Sequence, residues 1–367
     1  MNFVVRPEIS LCKSVAVFLQ SLTIGRADLV VSNEIIIKPY LELLTNGSGL
    51  LLTEKYGSGE PSNDMLNAMI HDIEGKDYKR VIAIGGGAVL DIAKQLLFED
   101  GMTCEDLYVN VADLAKYKRR ELIAIPTTCG TGSEVTSISV TLFPEKKTKI
   151  GLVTPAIAPD RAVLIPELLE SMPYDVFAAS SVDALIHAVE SFVSPKATVF
   201  SKLFSKEAIA LILNGYKKIV DEKLEPMALM EDFVVASTYA GIAFSNAGCG
   251  GVHALSFPLG GSFHIPHGKS NYYLFLAVFH TYVEKGADLS ELEELMAKKL
   301  GDGGVWKNLE NLLEAILPMV PLSELGVKES DVAAFVPAVL QNQQRLLVNM
   351  PIALDQESLK GIYMRCL

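Results

Sequence analysis

The sequence has no surplus of positive charge, no paired-cysteine motif and no unbroken apolar stretch, and each absence removes a class of function. Across 367 residues, 32 lysines and arginines stand against 44 aspartates and glutamates, a formal net charge of −12. Such a chain has no basic field to hold a phosphate backbone, so nucleic acid is not expected as a partner. Its five cysteines, Cys12, Cys104, Cys129, Cys249 and Cys366, are odd in number and far apart, and none forms a C-x-x-C pair. They read as reduced thiols of a cytosolic protein. Near the N-terminus Arg6, Glu8 and Lys13 break up the apolar residues, so no secretory leader is expected. No later window approaches the roughly 20 uninterrupted apolar residues that cross a bilayer. The expectation is a soluble, cytoplasmic protein with no membrane partner. Internal repeats, low-complexity tracts and blocks of like charge are also missing, so there is no tail or arm to explain.

What is present describes an ordinary, rather apolar globular chain: 50% hydrophobic and 21% charged residues, with a mean hydropathy of +0.30. Disorder is excluded. At roughly 150 residues per domain the length suggests two domains. Up to about residue 170, short β-branched runs alternate with helical patterns: DLVVS, LLLTEK, RVIAIGGG, ELIAIPTT and RAVLI. That alternation predicts a parallel sheet with crossover helices, and the continuously apolar runs Val81 to Ile84 and Leu122 to Ile125 predict strands covered on both faces. From Pro173 onward the apolar period is near 3.6 over 174–193, 201–220, 228–246, 287–299, 304–317 and 330–347, which predicts helix throughout. Pro155, Pro159, Pro166 and Pro173 punctuate the junction. The expected division is an α/β domain over 1–172 and an all-helical domain over 173–367.

Three stretches carry chemistry. The first is Gly85-Gly86-Gly87-Ala88, between the strand RVIAI and the helix DIAKQLLF. Glycines there let a ligand approach the backbone, and the free N–H groups of the helix start suit a phosphate. The second, Pro126-Thr127-Thr128-Cys129-Gly130-Thr131-Gly132-Ser133-Glu134, also follows an apolar strand and offers hydroxyls to ribose and phosphate oxygens. Two polar loops at carboxyl ends of strands in one parallel sheet converge on one crevice. The third is the histidine distribution. Asp183 and His187 share a helix face with Glu190, while His253 and His267 lie in GGVHALSFPLGGSFHIPHG, read as a glycine- and proline-shaped loop, with His264 between them. One carboxylate and three imidazoles form a mixed oxygen and nitrogen set that suits Fe2+ or Zn2+ and leaves a coordination position open. Such a metal can polarise a hydroxyl or carbonyl oxygen, and beside a dinucleotide it implies hydride transfer.

At GGGAVLDIAK, PTTCGTGSEVT, DALIHAVES and VHALSFPLGGSFHIPHG the chain resembles the iron-dependent, or type III, alcohol dehydrogenases, over nearly its full length. EKYGSGEP, SSVDALIHA, the stretch from AGIAFSNAG to PHG and QQRLLVN are most similar to members that interconvert 4-hydroxybutyrate and succinate semialdehyde with NAD. The resemblance implies an N-terminal dinucleotide-binding α/β domain and a helical C-terminal domain, with cofactor and metal in the cleft between them. It implies Asp183, His187, His253 and His267 as metal ligands. It places Gly86, Gly87 and Ala88 at the pyrophosphate, Thr127, Thr128 and Thr131 around the nicotinamide, Asp91 close by, and Lys149 at the cofactor ribose. A homodimer or larger assembly is expected.

The sequence departs from the family pattern at three places. Ala88 replaces a serine but keeps the backbone amides. Asn33 stands where members often hold the adenosine ribose with aspartate, which softens the expected preference for NAD over NADP because asparagine does not repel a 2′-phosphate. Phe257 occupies the place of a further histidine often assigned to proton transfer, so His264 is the nearby candidate for that role, with a plain loop position as the alternative. For a hydroxy-acid substrate an acidic protein needs a local cation. Arg345 is the candidate, a surface arginine is its ordinary reading, and Lys269 competes. The rival functions are a dehydrogenase of an uncharged alcohol or diol, a lyase of the related dehydroquinate synthase type, and a catalytically silent metal-binding protein.

Overall fold

The computed structural model describes residues 2–57, 59–146 and 148–367; Ser58, in the EKYGSGEP stretch, lies outside the described residues. These residues form two compact units, one over Val5–Thr128 and Gly132–Met172, the other over Pro173–Leu367 with Cys129–Thr131 and the chain's first residues up to Val4. Cys129–Thr131, expected with the first domain, therefore group with the helices. Gly130 explains it, since a Cβ there would stand 2.8 Å from Ser180 Cβ.

In the first unit the strands are β1 (Glu8–Leu11), β2 (Asp28–Ser32), β3 (Gly49–Leu52), β4 (Arg80–Gly85), β5 (Glu121–Pro126), β6 (Ile138–Phe143), β7 (Thr148–Val153) and β8 (Arg161–Leu164). Six of them form a parallel sheet in the order β1-β8-β5-β4-β2-β3, while β6 and β7 make a separate antiparallel pair. The helices are α1 (Val15–Ser21), the single turns α2 (Glu34–Ile37) and α3 (Leu41–Leu44), then α4 (Asn63–Ile73), α5 (Gly87–Gln95) and α6 (Cys104–Val109). Successive strand residues point to opposite faces. Val81, Ala83, Leu122 and Ala124 join one core cluster with α4 and α5, and Ile82, Ile84, Ile123 and Ile125 join another with Val15 and Phe18 of α1. Both faces are covered, which is why β4 and β5 read as unbroken apolar runs. β1 and the β6–β7 pair were not foreseen. β1 is largely exposed and alternates little, and the pair is polar on one side.

The second unit is helical: α7 (Tyr174–Val193), α8 (Val199–Asp221), α9 (Met230–Ala247), α10 (Gly251–Phe263), α11 (His267–Glu284), α12 (Ser290–Leu300), α13 (Val305–Ile316), α14 (Glu329–Asn342), α15 (Gln344–Leu347) and α16 (Gln356–Cys366). Tyr174–Val193 and Pro226–Ala247 are long and apolar enough to cross a membrane, yet 83% and 61% of their most apolar windows are buried inside the protein. One expectation needs correction here. The stretch from His253 to His267 is not a shaped loop: α10 runs through Pro258, and His267 opens α11. Proline and glycine lower helix propensity, but burial of Val252, Ala254, Leu255 and Leu259 outweighs that cost.

Candidate functional site

The helical unit brings Asp183, His187, His253 and His267 together, with one donor atom from each all lying within 4.8 Å of one another. Asp183 and His187 sit one turn apart on α7, His253 comes from the first turn of α10, and His267 is the first residue of α11. Asp183 is the hub: its carboxylate oxygens lie 3.7 Å from His187 Nδ1, 3.9 Å from His253 Nε2 and 3.8 Å from His267 Nε2. Gly268 permits this approach of α11 to α7, because a Cβ there would fall 2.3 Å from the Ala179 carbonyl oxygen. Asp183, His187 and His253 are at most 5% exposed, whereas the His267 side chain is 40% exposed. The cluster is thus reached from the His267 side.

The protonation states of His187 and Asp183 suit metal ligation. Burial pushes His187 down to about 3, against the pull of Asp183, so its imidazole is neutral. Its Nδ1 is buried without a hydrogen-bond partner among the described residues. A lone pair left unpaired inside a protein is costly, and a cation at the cluster centre would satisfy it. Burial opposes charge on Asp183, but the three imidazoles and the Asn271 amide outweigh it and hold the carboxyl below its ordinary range. His253 Nδ1 lies 2.7 Å from Glu190 Oε2, which fixes the proton on Nδ1 and leaves Nε2 facing the cluster. Asn271, one turn beyond His267, donates from Nδ2 to Asp183 Oδ1 at 2.7 Å and lies 3.1 and 3.2 Å from His253 Nε2 and His267 Nε2. An oxygen and nitrogen donor set of this kind suits Fe2+ or Zn2+. A second cluster, Glu190, Cys249 and His253, shares His253. Its carboxylate and Nδ1 are already spent on each other.

In the α/β unit the second constellation lies at the carboxyl edge of the sheet. Gly85 of β4 pairs with Pro126 of β5, so the glycine turn and the threonine loop leave the sheet at one level. Gly86 is the N-cap of α5, and a Cβ on it would stand 3.3 Å from Thr128 Cγ2, narrowing the space beside the helix start. The first N–H groups of any helix have no acceptor within it, and those of Gly87 and exposed Ala88 occupy that position. Thr127 is buried, with its N–H on the Gly85 carbonyl, and Thr128 and Thr131 are half-buried. Asp91, expected beside the cofactor, accepts from Ser133 Oγ at 2.6 Å and from the Val140 N–H at 2.9 Å, so it ties α5 to the loop. Fully buried Lys94 completes that tie through Ser133 Oγ, Thr136 Oγ1 and the Ile138 carbonyl. Lys149, on β7, is paired with Glu60 at 2.6 Å.

The remaining candidates are placed as follows. His264 caps α10 in the left-handed region at φ 55°, with an exposed imidazole that makes no hydrogen bond among the described residues. Phe257 is half-buried on α10, one turn after His253. Arg345 is on α15, exposed, and has no ion pair among the described residues. Asn349 ties that segment to the loop before α10, donating to the Cys249 carbonyl at 2.8 Å and to the Arg345 carbonyl at 3.1 Å. Asn271 and Lys94 escaped the sequence reading. Asn271 could have been found by counting one helical turn from His267, had α11 been recognised.

An iron-containing alcohol dehydrogenase family model matches residues 11–166, and the C-terminal model of the Fe-containing alcohol dehydrogenase family matches residues 177–367. The chain belongs to the iron-containing alcohol dehydrogenase family. It is 43% identical over 351 residues, 94% of each chain, to the 4-hydroxybutyrate dehydrogenase of Clostridium kluyveri. The iron-containing alcohol dehydrogenase of Thermotoga maritima superposes with a TM-score of 0.81 at 25% identity, covering 100% of this chain and 99% of that one. Sulfoacetaldehyde reductase from Bifidobacterium kashiwanohense, solved with NAD+, gives a TM-score of 0.83 at 23% identity over 100% and 98% of the chains, a likeness of fold.

Proposed function

We propose that the chain interconverts 4-hydroxybutyrate and succinate semialdehyde, with NAD as hydride acceptor and Asp183, His187, His253 and His267 holding a divalent metal, iron or zinc. In the oxidative direction 4-hydroxybutyrate and NAD+ give succinate semialdehyde, NADH and a proton. The observation that carries the reading is the buried carboxylate-and-three-imidazole cluster, in a chain so similar to a clostridial enzyme of that name. When bound, the metal supplies Lewis acidity toward the substrate oxygen and the dinucleotide supplies the hydride site. The chain's own residues do the positioning. Glu190 and Asn271 orient the ligands, and half-buried His267 marks the side from which substrate enters. Gly86, Gly87 and Ala88 offer the pyrophosphate backbone amides, with Thr127, Thr128 and Thr131 toward the nicotinamide, Lys149 toward the ribose, and Asp91 and Lys94 holding the threonine loop in place.

Arg345 is our assignment for the substrate carboxylate. Its guanidinium has no acidic partner among the described residues, and Asn349 fastens its helix turn near His253. Half-buried Lys269, just after His267, is the competing cation. The enzyme is further proposed to work as a homodimer or larger homo-oligomer in the cytoplasm. The apolar side chains of Val199, Phe200 and Leu203, 80%, 59% and 65% exposed, support an interface there. Steady-state kcat/KM for succinate semialdehyde, butanal and propanal tests the substrate reading. It should favour the acid by about tenfold or more, and a preference for butanal would replace it with an uncharged-alcohol dehydrogenase.

A further inference from the structure

In parallel sheets that bind dinucleotides, the strand beside the glycine-turn strand ends at the adenosine ribose. A carboxylate there accepts the 2′-hydroxyl and repels a 2′-phosphate. Here that strand is β2, flanked by β4 and β3. Ser32 pairs with Ile84 of β4 and with Leu52 of β3, so Asn33, Thr53 and the glycine turn emerge at the same edge. Asn33 Nδ2 donates to Thr53 Oγ1 at 2.6 Å, and Thr53 is a fixed anchor at 6% exposure. The amide oxygen is then the end that faces a ligand, and it accepts a hydroxyl as an aspartate oxygen would. A phosphate, which brings about two negative charges and only acceptors, gains nothing from it.

The charge missing at Asn33 is present one strand over. Glu54 follows Thr53, and its Oε1 accepts the N–H of Glu34 at 3.0 Å. Glu34 follows Asn33, and both carboxylates are exposed. We propose that Glu54, held beside Asn33 by the Glu34 N–H, makes this chain select NAD over NADP, reversing the tolerance expected from asparagine alone. Glu34 adds to the same field. The proposal rests on the reading that the dinucleotide phosphates lie at the Gly86 turn. Lys55, the next residue, is exposed and has no ion pair among the described residues, so it is the cation that would favour the opposite outcome.

Fluorescence titration of the full chain with NADH and with NADPH tests this. Glu54→Gln retains an oxygen for the Glu34 N–H and removes only the charge. The wild type should bind NADH about tenfold more tightly than NADPH, and the variant should tighten NADPH about fivefold while NADH stays within about twofold. Added salt should tighten NADPH on the wild type more than on the variant. Gly86→Val is the control for the underlying reading and should weaken both dinucleotides. If it does so while Glu54→Gln leaves the NADPH-to-NADH ratio unchanged, Glu54 is not the selector, although the turn still holds the phosphates. Equal wild-type affinity for the two dinucleotides would also overturn the proposal and point to Lys55. Unchanged binding in Gly86→Val would instead remove the reading on which the proposal stands.

Discussion

Glu190 holds the His253 side chain and the backbone just before it: Oε2 lies 2.7 Å from His253 Nδ1, and Oε1 accepts the Val252 N–H at 2.7 Å. One carboxylate thus fixes the tautomer of a candidate ligand and satisfies a donor at the start of its helix. Glu190→Gln keeps an acceptor for the Val252 N–H but weakens the bond to the ring. Metal affinity should fall about 10- to 100-fold, read by chelator competition, with the circular dichroism spectrum and Tm nearly unchanged. Unaltered affinity would mean that the orientation of His253 is set elsewhere.

Arg345 makes a sharper claim about the substrate. A guanidinium fork donates two parallel hydrogen bonds to a carboxylate, a pairing that an uncharged aldehyde cannot accept. Arg345→Leu should lower kcat/KM for succinate semialdehyde at least about tenfold, or about 1.4 kcal/mol, while butanal turnover holds. Equal loss on both substrates would indicate damaged structure, and no loss on either would transfer the role to Lys269.

His264 is held in a backbone conformation that costs a non-glycine residue about 1 kcal/mol or more. Its exposed imidazole has no partner to pass a proton to among the described residues. His264→Gly should therefore keep kcat within about twofold and raise Tm slightly. A loss of about a hundredfold would instead give the imidazole a part in proton transfer.

The parallel sheet was legible because β2, β4 and β5 are buried on both faces and show unbroken apolar runs. The metal cluster was legible in part. Asp183, His187 and Glu190 share a face of α7, which spacing alone reveals, and His253 and His267 were found by their scarcity. What failed was the structure around the last two. Local propensity at Pro258, Gly260 and Gly261 argues against helix, and only burial against the rest of the unit decides for it. The contacts of Asn271, Lys94 and Glu54 were hidden for a related reason. Each joins residues far apart in the chain, Asn271 to Asp183, Lys94 to Ser133 and Glu54 to Glu34. No periodic pattern records such pairings.

The central claim, a metal-dependent oxidoreductase built on Asp183, His187, His253 and His267, is tested most directly by measuring bound metal together with NADH oxidation in the presence of succinate semialdehyde. The wild-type protein should carry about one divalent ion per chain, lose turnover when a chelator removes it, and recover on adding Fe2+ or Zn2+. His267→Ala should bind far less metal and turn over no substrate, while its NADH affinity by fluorescence stays close to that of the wild type. Full turnover by metal-free protein, or normal metal content and activity in His267→Ala, would contradict the account.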